Sequence, residues 1–246
     1  MTNLTDRPHQ NEPLHRIFTA VPPHYDMINH IITCGLDKRW RQWAAEECLA
    51  SNPERMLDLC CGTGDFTISV AQLAGDNLAV FGVDYSQPML KIAARKAESR
   101  DTKKISFVNS NAAHLPFPDG YFDCIGISFA FRNLTYRNPL TGKCLDEALR
   151  VLKTGGRFVI IETSQPESKL ISKFYHLYLR WFVFRMGFIL SGNRRAYGYL
   201  AKSATRFYNS QEVRKLLTTA GFRQVSFKPL FLGVVGIHIA IKQSRD

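Results

Sequence analysis

One stretch decides the fold of this chain: Leu57-Asp58-Leu59-Cys60-Cys61-Gly62-Thr63-Gly64-Asp65. An apolar run with strand character ends there in a turn, and a helical pattern begins at once. Gly62 and Gly64 let the backbone turn sharply and let a ligand approach it with no side chain in the way. A strand, a glycine turn and a helix in this order indicate an open α/β sheet that binds a ligand at the carboxyl ends of its strands.

Both sides of this stretch show apolar runs, bounded by turn residues, that alternate with helical patterns. Such alternation is typical of a parallel sheet with helices on both faces. We expect strands at 56–60, 78–83, 105–108, 122–128 and 157–161. We expect helices at 37–50, 65–74, 88–99 and 140–152.

The end of the sequence has a different pattern. Ser210 opens a helix that Gly221 ends, and two strand-like runs follow at 224–229 and 234–241. The short connection at 230–233 predicts an antiparallel pair, which brings the sheet to seven strands. The predicted fold class is therefore α/β, with a Rossmann-like, seven-stranded mixed sheet.

Residues 170–190 are apolar and rich in aromatic side chains, but they are too charged to span a bilayer. Lys173, His176 and Arg180 recur at helical spacing, which leaves the apolar residues on the other faces. We expect an inserted amphipathic helix that covers the site. The whole chain is predicted to be a single domain, 1–246, with an N-terminal helical cap at 1–50 and a helical insert over the substrate site at 165–209.

The glycine turn favours a sulfonium cofactor over a dinucleotide. A pyrophosphate-binding turn would carry a third glycine, and the residue at that position is Thr67. Asp58, inside the strand, suits a cationic sulfonium and amino group. Asp84 ends the second strand, 20 residues after Gly64, where a carboxylate can accept both ribose hydroxyls. The prediction is S-adenosyl-L-methionine; the alternative for Asp84 is a helix cap, for which Ser86 is better placed.

Three more residues lie where the predicted strands end. Asn111 and Ala112 follow the third strand, where a small residue beside an amide could hold an adenine ring. Ser128 ends the fourth strand, at the edge where ligands of open α/β sheets bind. The predicted cofactor site thus comprises Asp58, Gly62, Thr63, Gly64, Asp84, Asn111, Ala112 and Ser128.

With these residues placed, four segments carry a resemblance to a known family. They are Tyr25-Asp26-Met27-Ile28-Asn29 with Gly35 and Trp40, the segment Ser128-Phe129-Ala130-Phe131-Arg132-Asn133, residues 150–157 running to Glu162 and Ser164, and residues 191–197 with Arg206-Phe207. From about residue 17 to residue 242, the chain resembles the C-methyltransferases of ubiquinone and menaquinone biosynthesis. It departs from their pattern at Thr33, Asp37, Thr154 and Asn193, of which Asp37, in place of the usual His, lies nearest the expected substrate.

The resemblance implies a class I S-adenosylmethionine-dependent methyltransferase with cofactor contacts at Thr63, Asp84, Asn111, Ala112 and Ser128. It also implies that the substrate is a prenylated quinol methylated at a ring carbon. Naphthoquinol and benzoquinol substrates both stay open, with prenyl length unspecified, and chain length favours demethylmenaquinol.

Quinol chemistry assigns roles to the remaining candidates. The phenol, with an unperturbed pKa near 10, must lose its proton before the ring carbon becomes nucleophilic. We expect Arg132 and Asn133 to hold the quinol oxygen, Arg132 acting electrostatically because it stays protonated. Tyr25 and Asp26 would cap the pocket, with Asp26 or His24 as proton acceptor. The alternative for Arg132 is a surface salt bridge, and Glu162 either faces the same edge or caps the following turn.

Charge and composition suggest where the protein works. Residues 165–246 hold 14 Lys and Arg against 3 Asp and Glu, whereas residues 1–164 hold 18 of each class. Such a basic region attracts phosphates, and with the aromatic insert it favours peripheral contact with an anionic membrane over nucleic acid. The alternative is a basic surface that only keeps the protein in solution. The six cysteines form no CxxC pair, and the N-terminus lacks a secretory pattern, so we expect a cytoplasmic location at the inner face of the cell membrane.

Three other functions would each require a different sequence pattern or remain compatible with this one. A nucleic-acid methyltransferase would show an Asn/Asp-Pro-Pro-Tyr/Phe motif after the fourth strand, where this chain has Ser128-Phe129-Ala130-Phe131. A non-catalytic S-adenosylmethionine-binding protein would have a degraded glycine turn, and this turn is intact. Another small-molecule or lipid methyltransferase stays an alternative. The spacing of His, Cys and Asp predicts no metal site, and oligomeric state has no sequence signal here.

Overall fold

The computed structural model describes residues 25–102, 104–191 and 194–243. Its strands are β1 Arg55–Leu59, β2 Ala79–Asp84, β3 Ile105–Asn109, β4 Phe122–Ser128, β5 Leu152–Thr163, β6 Arg223–Leu230 and β7 Val235–Ile241. They form one sheet in the order β3-β2-β1-β4-β5-β7-β6. The pairs among β1 to β5 are parallel, and β7 runs antiparallel to both β5 and β6. The predicted seven-stranded mixed sheet is confirmed.

Ten helices are found in the described ranges. They are α1 Tyr25–Ile32, α2 Leu36–Leu49, α3 Asp65–Ala74, α4 Gln87–Ser99, α5 Phe131–Thr135, α6 Thr141–Val151, α7 Lys169–Tyr178, α8 Phe184–Ser191, α9 Arg194–Thr205 and α10 Ser210–Thr219. None of the helices within these ranges is long and apolar enough to cross a bilayer. Of the predicted N-terminal cap, residues 1–24 lie outside the described part, as does Asn193.

Helices cover both faces of the sheet, as a parallel sheet requires. On one face Leu145 of α6 and Leu217 of α10 pack against Phe122 and Phe158. On the other face Trp40 of α2 and Phe66 and Val70 of α3 pack against strand residues that include Met56 and Val159. Burying these side chains contributes roughly 1.5–3 kcal/mol each, which fixes the strands whose ends carry the site.

Two predicted boundaries were wrong. Strand β5 begins at Leu152 rather than at 157. Two adjacent glycines, Gly155 and Gly156, are typical of a turn, but here the Gly155 amide donates a hydrogen bond to the Lys242 carbonyl at 2.7 Å, which keeps this segment in the sheet. The predicted helix at 170–190 is two helices, α7 and α8, joined by a π-helical turn at Leu179–Val183. A π-helical turn adds a residue to the helical repeat, which changes the direction in which the side chains after it point.

The inserted helices pack on α1. Leu179, Val183, Tyr197 and Ala204 of the insert form a small apolar cluster with Ile28 and Ile32 of α1. We call α7, α8 and the π-helical turn between them the cover helices. Together with α1 they lie next to the carboxyl ends of the strands.

Candidate active site

A cavity of about 1030 Å³ lies at the carboxyl ends of β1, β2 and β4, with walls from α1, α2, α7 and the turn Phe231–Gly233. Most of the predicted site residues line it: Asp26, Asp58, Gly62, Thr63, Asp84, Asn111, Ala112, Ser128, Arg132 and Asn133. Candidates from separate parts of the sequence therefore meet in one cavity.

The carboxylate of Asp84 faces the glycine turn. Its Oδ2 accepts a hydrogen bond from the Gly62 amide at 2.9 Å, and its Oδ1 accepts one from the Ser86 amide at 2.8 Å. Burial raises the pKa of Asp84, against the lowering effect of the amide bonds. The carboxylate thus ties the end of β2 to the glycine turn, while Ser86 rather than Asp84 stands at the N-cap of α4.

Asp58 is buried beneath the same turn. Its Oδ2 accepts a hydrogen bond from the Thr67 hydroxyl at 2.5 Å, while its Oδ1 has no partner among the described residues. Burial raises the pKa of Asp58 to about 7. Thr67, which stands where a dinucleotide turn would have glycine, therefore supports the carboxylate of the preceding strand.

The two glycines of the turn have different roles. Both have a positive φ, 54° for Gly62 and 79° for Gly64. A Cβ at Gly62 would meet no atom within 4 Å, so its backbone faces open space in the cavity. A Cβ at Gly64 would lie 2.8 Å from the Cβ of Ala93, and Gly64 is absent from the cavity lining. Gly64 thus permits close packing of α4 rather than access to a ligand.

The other strand ends carry strained backbone and unpaired groups. Cys60 follows β1 with φ 60°, and Phe129 follows β4 with φ 55°, a left-handed conformation that is uncommon for such residues and often found at functional sites. The Ser128 hydroxyl is buried without a partner in the described part of the chain. The Asn111 side chain accepts a hydrogen bond from the Ala113 amide at 2.9 Å, which orders the turn that presents Ala112.

These features fit a sulfonium nucleoside. A buried carboxylate oxygen and a buried hydroxyl without partners, Asp58 Oδ1 and Ser128 Oγ, lie beside a turn whose Gly62 leaves room. A ligand with a positive charge and hydrogen-bonding groups would satisfy both. Within 25–102, 104–191 and 194–243 no cluster of His, Cys, Asp and Glu could hold a metal ion.

Arg132 and Glu162 form a buried ion pair next to the cofactor end of the cavity. Arg132 Nη1 lies 3.1 Å from Glu162 Oε1, and the Arg132 amide donates to Glu162 Oε2 at 3.0 Å. The two residues are 5% and 3% exposed, so the alternative of a surface salt bridge was wrong. Arg132 Nε and Asn133 Oδ1 have no partner among the described residues, which leaves a donor and an acceptor for a substrate oxygen.

Comparison with known proteins assigns the family. The family model described as the ubiE/COQ5 methyltransferase family matches residues 5–242. The chain belongs to that family. It is therefore an S-adenosylmethionine-dependent methyltransferase, as its glycine turn and strand-end acid predict.

Individual relatives agree with this assignment. The methyltransferase is 34% identical over 237 residues to a demethylmenaquinone methyltransferase from Geobacillus stearothermophilus, covering 96% of this chain and 100% of the relative. It is 37% identical over 240 residues to one from Lactiplantibacillus plantarum, covering 96% and 99%. A SAM-dependent methyltransferase of known structure from Aquifex aeolicus shares the fold, with a TM-score of 0.58 at 19% identity over 92% of this chain and 96% of that one.

The N-terminal candidates of the methyltransferase have a partly different arrangement from the predicted one. Asp26 lines the cavity, but its Oδ1 accepts from the Thr63 hydroxyl at 2.7 Å and its Oδ2 lies 2.6 Å from Lys96 Nζ. Both oxygens are engaged, which disfavours Asp26 as a proton acceptor and favours a structural role. His24 and the side chain of Tyr25 lie outside the described part of the methyltransferase.

Asp37, the departure from the family pattern, is embedded in hydrogen bonds. It is 4% exposed and accepts from Thr33 at 2.9 Å and Arg41 at 2.5 Å, with His30 Nδ1 at 2.9 Å. Burial alone would raise its pKa, but the charge of Arg41 and these hydrogen bonds hold the pKa of Asp37 below its usual value. In this methyltransferase Asp37 therefore stabilises the joint between α1 and α2.

Two residues near the site were missed by sequence reasoning. Lys96 carries no local signal, because one lysine on an amphipathic helix resembles any other. Tyr175 lines the cavity with a buried hydroxyl, and burial raises its pKa, with Arg132 and Glu162 nearby as opposing influences. Its helical position was predicted, but which face meets the cavity depends on the packing of α7.

Proposed function

We propose that the methyltransferase transfers a methyl group to a ring carbon of a prenylated quinol, and that this quinol is demethylmenaquinol. One observation carries the proposal: a single cavity is lined both by the cofactor turn and by the aromatic cover helices. The relatives named demethylmenaquinone methyltransferase, which match this chain over nearly their whole length, support the choice of quinol.

The substrate end of the cavity matches a ring with an apolar tail. Its lining from α7 and the π-helical turn is aromatic or aliphatic: Ile171, Phe174, Tyr175, Tyr178, Leu179 and Val183. Phe231 and Leu232 face it from the turn before β7. Apolar walls with a few polar groups are typical of small-molecule sites and suit an isoprenoid chain.

Five residues at the end of the cavity next to the glycine turn, the cofactor end, are proposed to bind the cofactor. We propose that Asp84 holds the ribose, that Asn111 and Ala112 hold the adenine, and that Asp58 and Ser128 lie near the charged sulfonium end. When bound, S-adenosylmethionine supplies an electrophilic methyl group, so the protein need only orient the reactants and manage one proton.

Arg132 is proposed to stabilise the quinol oxygen as it loses its proton. Glu162 accepts hydrogen bonds from the Arg132 side chain and amide and from Thr163, so the guanidinium is held rigidly. A fixed cation in a buried site stabilises developing phenolate charge more than the same cation would in water. Asn133 would accept or donate a second hydrogen bond at the ring. Because arginine stays protonated and cannot accept the phenol proton, that proton is proposed to pass through a water molecule to solvent.

A methyl-transfer assay tests the substrate. Labelled S-adenosylmethionine is incubated with demethylmenaquinol and, in parallel, with a benzoquinol precursor carrying the same prenyl tail. We expect label on the naphthoquinol ring at the higher kcat/KM. Label on the benzoquinol alone would transfer the assignment to ubiquinone biosynthesis, and label on neither would contradict the quinol proposal.

We further propose one functional unit, 1–246, with the insert at 165–209 as its membrane-facing side. Exposed apolar side chains stand along the cover helices: Leu170, Phe174, Leu177, Trp181 and Ile189 are 58–71% exposed. Basic residues lie among them, and the Cζ atom of Arg185 lies over the Trp181 ring, 4.0 Å from its centroid. This mixture of aromatic and cationic groups matches an anionic bilayer surface, where a prenylated quinol resides.

Co-sedimentation with liposomes tests the membrane contact. Binding is expected to rise with the anionic lipid fraction and fall with salt, and the double substitution Leu177→Ser with Trp181→Ser is expected to weaken it. Leu73→Ser is the matched control, since Leu73 is 45% exposed on α3, outside the insert. Binding that is indifferent to lipid charge and to the double substitution would contradict the proposal.

A further inference from the structure

Helix α1 touches two parts of the molecule that the reaction must bring together. Its apolar residues Ile28 and Ile32 pack against the insert, and the Tyr178 hydroxyl donates to the Ile32 carbonyl. Its residue Asp26 reaches the cofactor turn through the Thr63 hydroxyl at 2.7 Å. Helix α1 therefore bridges the cover helices and the cofactor turn.

Lys96 of α4 joins this bridge to the cofactor helix. Its Nζ lies 2.6 Å from Asp26 Oδ2 and 2.7 Å from Asp65 Oδ1. Asp65 is the first residue of α3, directly after the glycine turn. The three side chains are 22%, 32% and 25% exposed, so the charges are partly shielded from water and their attraction is stronger than at an open surface.

We infer that Lys96 is a positioning residue that, through Asp26, latches helix α1 over the cofactor turn and slows release of the bound cofactor. Asp26 and its neighbours on α1 line the same cavity as Gly62, Thr63 and Asp84. A wall of that cavity that is tied by an ion pair opens less often than an untied one. The latch thus acts on cofactor exchange rather than on the methyl transfer itself.

Dissociation of S-adenosylhomocysteine from the whole protein tests the latch and needs no quinol, so its outcome is independent of the proposed substrate. Lys96→Met is expected to speed dissociation about fivefold in stopped-flow displacement, a size typical of a partly exposed ion pair. Lys96→Arg, which keeps the charge, is expected to restore most of the effect. At saturating cofactor the kcat of Lys96→Met should stay near the wild-type value while KM for the cofactor rises.

A double-mutant cycle and a matched control complete the test. If the ion pair is the latch, Lys96→Met combined with Asp26→Asn should be no faster than the faster single variant. Lys91→Met, an exposed lysine on the same helix, should leave the rate unchanged. Amide hydrogen exchange across 25–32 should rise in Lys96→Met and not in Lys91→Met. An unchanged dissociation rate in Lys96→Met, or rate effects of Lys96 and Asp26 that multiply, would overturn the inference.

Discussion

At the scale of single residues, Asp58 lowers the stability of the free protein at neutral pH but is suited to binding a positively charged ligand. One carboxylate oxygen is bonded to Thr67 and the other has no partner in the described part of the chain. Burial raises the pKa from 3.8 to about 7, so the folded protein keeps a proton that the unfolded chain has released. Between these pH values Asp58 therefore lowers the free energy of unfolding as pH rises. A positive ligand beside Asp58 would reverse that effect.

Binding of S-adenosylmethionine is accordingly expected to release a proton near pH 7. The positive charge favours ionised Asp58, so affinity should rise as pH increases through about 7. Calorimetry in two buffers of different ionisation enthalpy measures the number of protons released. Asp58→Asn keeps an acceptor for Thr67 and should abolish the buffer dependence. Equal heats in both buffers for the wild type would contradict this role.

Arg132 and Glu162 give a second prediction at this scale. Arg132→Lys keeps the charge but loses the planar arrangement of donors, so we expect kcat for the quinol to fall about a hundredfold, with little change in cofactor affinity. Glu162→Gln leaves a buried guanidinium without its counter-charge and should lower the free energy of unfolding by about 3 kcal/mol. Steady-state kinetics and urea unfolding measure the two effects. Wild-type kcat in Arg132→Lys would remove Arg132 from the chemistry.

At the scale of elements, the contact between the cofactor turn and α4 sets how tightly the site is built. Gly64 lets the turn approach Ala93, and Thr67 bonds back to β1. The strand, turn and helix thus form one unit, in which a change at a residue outside the cavity lining can move the cavity wall.

Gly64→Ala should lower the free energy of unfolding by about 2–4 kcal/mol, because the new methyl would add a clash to the cost of a positive φ. Gly155→Ala is the matched control: Gly155 has the same φ as Gly64, 79°, but a Cβ there would meet nothing within 4 Å. We expect the control to cost only about 1 kcal/mol. Urea unfolding of both variants decides the point, and equal losses would mean that packing against α4 contributes nothing.

Features that depend on neighbouring residues in the sequence could be predicted, and features that depend on contacts between distant elements could not. Strands and helices follow from local apolar periodicity, so the predicted β4 and α3 agree with the structure residue for residue. Partners that lie far apart in sequence depend on which strands become neighbours. Arg132 with Glu162 and Lys96 with Asp26 are such pairs, and neither has a local pattern. The π-helical turn at Leu179–Val183 was missed for the related reason that it depends on packing against α1.

At the scale of the whole molecule, buried titratable groups make stability depend on pH. His238 of β7 is 3% exposed, and its ring is tilted against that of Phe227 with the ring centroids 4.5 Å apart. Its Nδ1 has no partner among the described residues. Burial lowers its pKa from 6.5 to about 4. Between these values the unfolded chain binds the proton more readily, so this contribution is complete above pH 6.5 and is lost as pH falls towards 4.

Because of His238, the free energy of unfolding of the wild type should fall by at most about 3 kcal/mol between neutral pH and pH 4. We expect His238→Leu to abolish this fall. Over much of this range Asp58 has the opposite effect, since it raises the free energy of unfolding as pH falls. In Asp58→Asn, which retains His238, the free energy of unfolding should therefore fall more steeply with decreasing pH than in the wild type. Urea midpoints at pH 5 and pH 7 for the wild type and both variants separate the two groups. An identical pH dependence in His238→Leu and the wild type would show that His238 is not the group responsible.

The position of β7 between β5 and β6 also constrains how the protein is made. Strand β5 gains its second neighbour only from residues 235–241, and β6 pairs with nothing but β7 within the described sheet. During synthesis, a ribosome that has released β1 to β5 presents an apolar strand edge that no other part of the nascent chain can cover. Such edges recruit other chains, so slow translation or truncation before residue 235 should produce aggregates rather than a smaller enzyme.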